Sequence, residues 1–440
     1  MLKRLGPSVV AAGDTTSPAL FDSKLEFNPP AHGVWNIVHV GMLVPEAHQI
    51  YVCAVNCMRG VVLTAAEMGL SNRFSCVVLK ETDIVRGTVE EVTLEGIADV
   101  LLKLKARGTL PPCVIVFPVC THHFLGVSMA RVYRELRHRF PSVDFVEAYM
   151  DPIMKRRLAP DVRLRKAIYD PLEPCEADSR LVALLGSDFA LDDDCDLRAA
   201  LDAGGYKLTD VQSCTTYAEF KAMAAAGTFV SVYPNAAYGA RKAASRLGRA
   251  HLYMPSSFSY DEIARQHKLL RTELGVPAGT IVDADEIERC EQALNEARQV
   301  IGSASIVIDA SAHPRPLGLA RLLIEHGFRV DEVYLDGVTD EDASALDWLR
   351  AHAPELQLSS IVLPELRVAP RERIERVIAI GQKAAWFTGT PYFVNIVEGA
   401  GLWGYAGIRT MARAIVEAWR VPKNARDIVP RKGLGCASCF

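Results

Sequence analysis

The strongest constraint on this chain is a long alternation running from about residue 36 to about residue 420. Short, nearly continuous β-branched apolar runs are separated by stretches whose apolar residues recur at helical spacing. The strand-like runs cover residues 36–43, 49–54, 74–79, 113–120 and 143–150, then 180–186, 207–213, 228–234 and 251–254, then 305–310, 330–335, 358–364 and 384–387. Helical spacing marks residues 89–106, 126–139, 261–274, 285–301, 371–380 and 402–420. Runs that are apolar throughout, rather than alternating, belong to parallel sheets covered by helices on both faces. The pattern therefore predicts an α/β protein of three doubly wound, Rossmann-like units with parallel sheets around a central cleft. A length of 440 residues fits about three domains. Linker-like stretches at 171–178 and 275–284 divide the chain into residues 1–175, with an N-terminal arm and the first unit, 176–284, with the second, and 285–440. The last comprises a bridging helix, the third unit, and a C-terminal helix and tail. The first 30 or so residues, rich in Gly, Pro and Ser, read as an arm.

Composition narrows the partners. Forty-nine basic against 53 acidic residues leave a net charge of -4, so no global field recruits nucleic acid or an anionic membrane. No apolar run approaches the ~18 residues that span a bilayer, and the N-terminus lacks the apolar core of a signal peptide. A cytoplasmic protein is expected. Its eleven cysteines are then either buried thiols or metal ligands, because a reducing compartment disfavours disulfides.

In open parallel sheets, sites lie beyond the carboxyl ends of the strands, where strand order reverses. Cys53 and Cys57 follow one strand in Tyr51-Val-Cys53-Ala-Val-Asn-Cys57-Met-Arg59-Gly60, and Cys120 follows another in Pro118-Val-Cys120-Thr-His122-His123. Each segment leaves a strand and enters a helix, which puts the three sulfurs on one rim of one sheet. Converging thiolates suit zinc or an iron–sulfur cluster, and helix N-termini stabilise anionic sulfur. The alternative is that they are small buried hydrophobes at strand ends. Three at matching corners favour ligation, whereas Cys76, Cys113, Cys175, Cys195, Cys214 and Cys290 lack paired spacing and read as structural. Three thiolates do not complete a four-ligand cluster, so the site is expected at a subunit interface. Arg59 beside Cys57 would balance its negative charge or, equally, form a plain surface salt bridge.

Asn56-Cys57-Met-Arg-Gly60, Pro118-Val-Cys120-Thr-His-His-Phe-Leu-Gly126, residues 235–248 running into His251-Leu-Tyr-Met-Pro255, and Gly401-Leu-Trp403-Gly-Tyr405-Ala-Gly407 resemble segments of component 1 of the nitrogenase superfamily. The resemblance covers the whole chain in architecture. It implies an iron–sulfur subunit of a two-component, ATP-dependent reductase, paired with a homologous component 1 subunit in an α2β2-type heterotetramer. Cys53, Cys57 and Cys120 would hold a four-iron or eight-iron, P-cluster-like centre at the subunit interface, with a second, larger cluster in the complex. A P-loop iron-protein ATPase dimer would supply electrons for reducing a small molecule in the cleft. The chain has no Gly-x-x-x-x-Gly-Lys-Ser/Thr motif of its own, which places ATP hydrolysis on that partner. Two departures stand out. No cysteine precedes Cys53, and Pro255-Ser-Ser-Phe-Ser259 and Gly401-Leu-Trp403 supply neither the cysteine nor the histidine that holds the nitrogenase cofactor, so dinitrogen reduction is not expected. Gly41-Met-Leu-Val-Pro45-Glu46-Ala-His48-Gln49 with Val52-Cys53, and Leu63-Thr-Ala-Ala-Glu67-Met-Gly69, are most similar to the methylthio-alkane reductase group, which implies reductive C–S cleavage of small thioethers. A cluster-assembly scaffold and a tetrapyrrole-reducing relative share the fold and stay open, as does a metal-free metabolite-binding enzyme.

His122 and His123 are candidate proton donors, and His39 and His48 candidate cleft residues, since an ordinary histidine titrates near pH 6.5. Tyr233-Pro-Asn235 and Asp309-Ala-Ser311 end strands and are candidate substrate contacts. Asp192-Asp-Asp194-Cys195-Asp196 reads as a helix-capping acidic turn. Cys436 and Cys439 form a CxxC pair near the C-terminus, read equally as tail or as ligands.

Overall fold

The computed structural model describes residues 8–15, 20–21, 37–150, 158–363 and 376–428. Cys436 and Cys439 lie outside them. Fourteen strands follow in chain order: β1 (Val9–Ala11), β2 (Ala47–Cys53), β3 (Phe74–Val78), β4 (Cys113–Pro118), β5 (Asp144–Glu147), β6 (Asp178–Leu184), β7 (Lys207–Asp210), β8 (Ala226–Ser231), β9 (Ala250–Tyr253), β10 (Ser305–Asp309), β11 (Arg329–Tyr334), β12 (Gln357–Ser359), β13 (Val377–Ile380) and β14 (Phe393–Val394). They form three sheets in the orders β3-β2-β4-β5, β7-β6-β8-β9 and β1-β12-β11-β10-β13-β14. Every pairing is parallel except that of β1 with β12.

The central strands are buried along their whole length, as in β2, β4, β10 and β13. Continuous apolar runs fit that environment, with helices such as Val89–Ala106 and Met129–Arg139 covering the outer faces. In each sheet the chain moves outward from a first strand and then returns to that strand's other side. Strand order therefore reverses between β2 and β4, between β6 and β8, and between β10 and β13. Each reversal splays the outgoing connections apart and opens a crevice at the carboxyl ends. Among the described residues, no helix is long and apolar enough to cross a membrane.

Three expectations are corrected. Residues 37–42, read as a strand, form the helix Ile37–Met42. Both edges of β2 are occupied by β3 and β4, so the preceding segment has no place beside it in the sheet. It coils instead, and a Cβ added at Gly41 would come within 2.6 Å of the Gln49 amide. Near the end of the chain, residues 377–380, read as helical, form β13, while 384–387, read as a strand, lie in the helix Gln382–Thr388. The N-terminal segment is more than an arm, because β1 pairs with β12 and Ala12 is buried in the core beneath the third sheet.

Candidate functional site

At the first reversal, Val52 of β2 lies opposite Pro118 of β4, so the two strands end level. The chain leaves β2 through Ala54 into the helix Val55–Glu67 and leaves β4 through Val119 into the helix Cys120–Phe124. Cys57, in the first turn of its helix, is exposed, and Cys120 is half-buried. The helix at Val55 has no side-chain cap, and in its first turn the Cys57 N–H donates to the Ala54 carbonyl at 3.0 Å. Cys53 differs. It is fully buried among Tyr51, Met58, Val61 and Ala65, and burial, with Cys76 and Cys57 adding to it, pushes its thiol up to about 12. Without a metal the neutral thiol is favoured there, and a bound metal would itself lower that value. Among the described residues, no group of three His, Cys, Asp or Glu side chains gathers to hold a metal ion. The exposed pair fits a soft, sulfur-rich centre only if another chain supplies the remaining donors.

The surroundings point the same way. Val55 and Val62 on the helix after β2, Val78 at the end of β3, Ile84 and Val85 on the helix after it, and Phe124 and Leu125 after β4 are all exposed. Among the described residues, only Leu102, Val282 and Val421 are large exposed hydrophobics elsewhere. All seven lie on the strand β3 or on the segments that follow β2, β3 and β4. Arg59 lies in the helix Val55–Glu67, its side chain outside the described residues.

His122 is not at the surface. Its Nδ1 accepts the Val119 N–H at 3.2 Å, so Nε2 carries the proton that reaches the Thr93 hydroxyl at 3.0 Å. Burial holds the ring below the usual histidine range, and both nitrogens are committed to pinning one helix on another. That geometry gives His122 a structural role. His123 is exposed beside Phe124. His48 lies at the opposite end of β2, bonded to Ser75 at 2.8 Å and pushed down to about 4 by burial and Arg73. His39 is buried in the helix Ile37–Met42. Neither lies at the carboxyl edge of the sheet.

The other two reversals carry polar groups that spacing in the sequence did not reveal. Beyond β6 and β8, Arg165 is bidentate to Asp188, at 2.6 Å to each oxygen, and stacks over Tyr233 at 4.6 Å. Asn235 donates to Asp161 at 2.7 Å. Beyond β10 and β13, Asp309 is fully buried and accepts the Ser311 and Ala384 N–H groups at 2.7 and 2.6 Å. Lys383 is buried beside it. Desolvation holds its ammonium below the usual lysine range, while Asp309 and Asp336 pull the other way. The structure thus makes Tyr233 and Asp309 parts of internal networks. Arg165, Asp188 and Lys383 are the residues that sequence reasoning missed, because each acquires its partners only through the crossing of the chain.

The sequence matches no family model and no curated protein. Solved structures do match in fold. A structure of nitrogenase Cp1 at pH 6.5 superposes with a TM-score of 0.66 at 11% identity, covering 92% of this chain and 95% of that one. Nitrogenase Cp1 at pH 5 gives a TM-score of 0.58 at 10% identity, over 94% and 93% of the two chains. Over more than nine-tenths of its length, the chain shares the fold of these nitrogenase Cp1 structures.

Proposed function

We propose that the chain is an iron–sulfur subunit of a two-component, nitrogenase-like reductase, working with a homologous subunit and a separate ATP-hydrolysing iron protein. The observation that carries this reading is the placement of Cys57 and Cys120. They follow adjacent parallel strands at a reversal point, one exposed and one half-buried, on segments that also carry exposed apolar side chains. An iron–sulfur centre bound there would supply one-electron transfer at low potential. The chain's own groups would ligate it through two sulfurs, face it with the uncapped helix start at Val55, and exclude water once the apolar rim is covered. Cys53 stands behind as core packing, and His122 fixes the helix that carries Cys120. The narrower reading, reductive C–S cleavage of small methylthio-alkanes, rests on the likeness of residues 41–53 and 63–69 to that group.

The test is iron and acid-labile sulfide content after anaerobic co-expression with the homologous partner. Cys57→Ser and Cys120→Ser should each lose most of the bound iron, whereas Cys53→Ser should retain it. Unchanged iron in the first two would remove them from the ligand set, and loss in the third would restore a three-thiolate site.

A further inference from the structure

The loop that leaves β14 has an unusual backbone. Glu398, Gly399, Ala400 and Gly401 are all left-handed, with φ of 53°, 80°, 39° and 82°. Glycine adopts such angles freely, but Glu398 and Ala400 do so against a steric cost. The loop is also strung between two sheets. The Glu398 and Gly399 N–H groups donate to the Ser311 and Ala312 carbonyls beyond β10, at 2.8 and 2.7 Å. On the other side, the Leu402 carbonyl accepts the Ser256 hydroxyl at 2.8 Å, and Trp403 Nε1 donates to the Met254 carbonyl beyond β9 at 2.9 Å. Strained backbone persists only where its surroundings over-determine it, and here the Glu398 side chain adds the remaining constraint.

That side chain is 1% exposed, with Asp188 and Tyr233 near enough to act on its carboxyl group. Its Oε2 lies 3.7 Å from the Arg165 guanidinium, which is already bidentate to Asp188 and donates to the Gly186 carbonyl at 2.7 Å. One cation thus faces two carboxyl groups. Ionising both would leave one buried negative charge uncompensated, which favours a proton on one of them. We propose that Glu398 carries a proton beside the Arg165–Asp188 pair and that this proton is a latch, holding the left-handed loop in place between the second and third sheets. Its loss releases the loop and lets the carboxyl edges of those two sheets part.

The groups facing Glu398 come from every side: Asp188 beyond β6, Arg165 on the helix Pro160–Ala167, Tyr233 at the start of the helix Pro234–Leu247, and His313 beyond β10, whose ring flanks Gly399. His313 is pushed down to about 3, so it stays neutral through the relevant range. Burial and the Asp188 charge hold the Glu398 carboxyl well above the usual carboxylate range. The closed loop therefore binds its proton more tightly than an open one, and raising the pH favours opening. The latch goes beyond the proposed redox role and stands or falls independently of it.

Hydrogen exchange on the full-length chain, with rates divided by the intrinsic rate at each pH, tests this from about pH 6 to about pH 9. Protection across residues 395–405 should fall by up to about tenfold per pH unit, while the helix Val89–Ala106 stays flat. Infrared spectroscopy should show the carbonyl stretch of a buried carboxylic acid. Glu398→Gln, neutral at every pH, should lose that band and keep the loop protected throughout. Tyr233→Phe removes a hydroxyl whose nearness favours the ionised form and should move the loss of protection to higher pH. Flat protection in the wild type, an unchanged slope in Glu398→Gln, or survival of the band in that variant would each overturn the latch. If Glu398→Gln does not fold, the Tyr233→Phe shift decides: its presence supports the proposal and its absence ends it.

Discussion

His313 is fully enclosed, and both ring nitrogens are committed. Nδ1 accepts the Arg315 N–H at 3.0 Å, so Nε2 carries the proton that reaches the Ser256 hydroxyl at 3.1 Å. Only a neutral imidazole satisfies this pattern, and burial, followed by the Arg315 charge, pushes the ring from 6.5 down to about 3. A depressed folded value means that stability is present above the unfolded pKa. It is lost as the pH falls from 6.5 toward about 3, by roughly 3–5 kcal/mol in all. His313→Gln, which keeps one donor and one acceptor, should be about 1 kcal/mol less stable at neutral pH yet flatter through the acid range in urea unfolding. An equally steep profile would show that other groups govern acid sensitivity. Such roles were not legible in the sequence, where His313 and His122 look like any polar residue after a strand. Cys57 and Cys120 were legible because a thiol at a strand-to-helix corner has a position defined by local order alone. Arg165, Asp188 and Glu398 meet only after the chain has crossed between units, and no local pattern announces that.

At the scale of elements, most strands and helices were readable because each carries its own period and its own breakers. The failures cluster where a short apolar run is compatible with either structure. Val377–Ile380 and residues 384–387 are both four-residue apolar runs, and their assignments were exchanged. The deciding signals are glycines: Gly381 opens the helix Gln382–Thr388 and Gly389, at φ 66°, closes it. The acidic turn at 192–196 does cap a helix, but not the one it opens. Asp196 accepts the Tyr405 and Ala406 N–H groups at 2.5 and 3.1 Å, so it caps the helix Gly404–Arg420 from the second sheet's own connection. A buried cap shared across two layers is worth more than a local one. Asp196→Ala should cost roughly 2–3 kcal/mol and reduce hydrogen-exchange protection in the first turn of Gly404–Arg420, before it affects the helix Asp196–Ala203. Loss spread evenly over both helices would show that the substitution acts by general unfolding instead.

Across the whole molecule, the parallel sheets place their three reversal points on the edges where loops converge, and each is equipped differently. The first presents sulfur and exposed hydrocarbon, whereas the second and third are closed by buried ion pairs and hydrogen bonds. A monomer gains nothing from leaving Val85 86% and Phe124 70% exposed on one rim. Covering such side chains would contribute roughly 25 cal/mol per Å² of apolar area removed from water, so the asymmetry of the molecule is itself an argument for a partner at that edge. Because these side chains pack against little in the isolated chain, replacing them should leave its own stability nearly unchanged. Val85→Glu and Phe124→Glu are therefore expected to shift the unfolding midpoint of the isolated chain by no more than about 0.5 kcal/mol equivalent. On co-expression with the homologous subunit, the same variants should reduce recovery of the complex in native mass spectrometry and size-exclusion chromatography, since a charge must then be buried without a counter-ion. Full assembly by both variants would place the subunit contact elsewhere and leave the exposed sulfurs without the second chain that their incomplete ligand set requires.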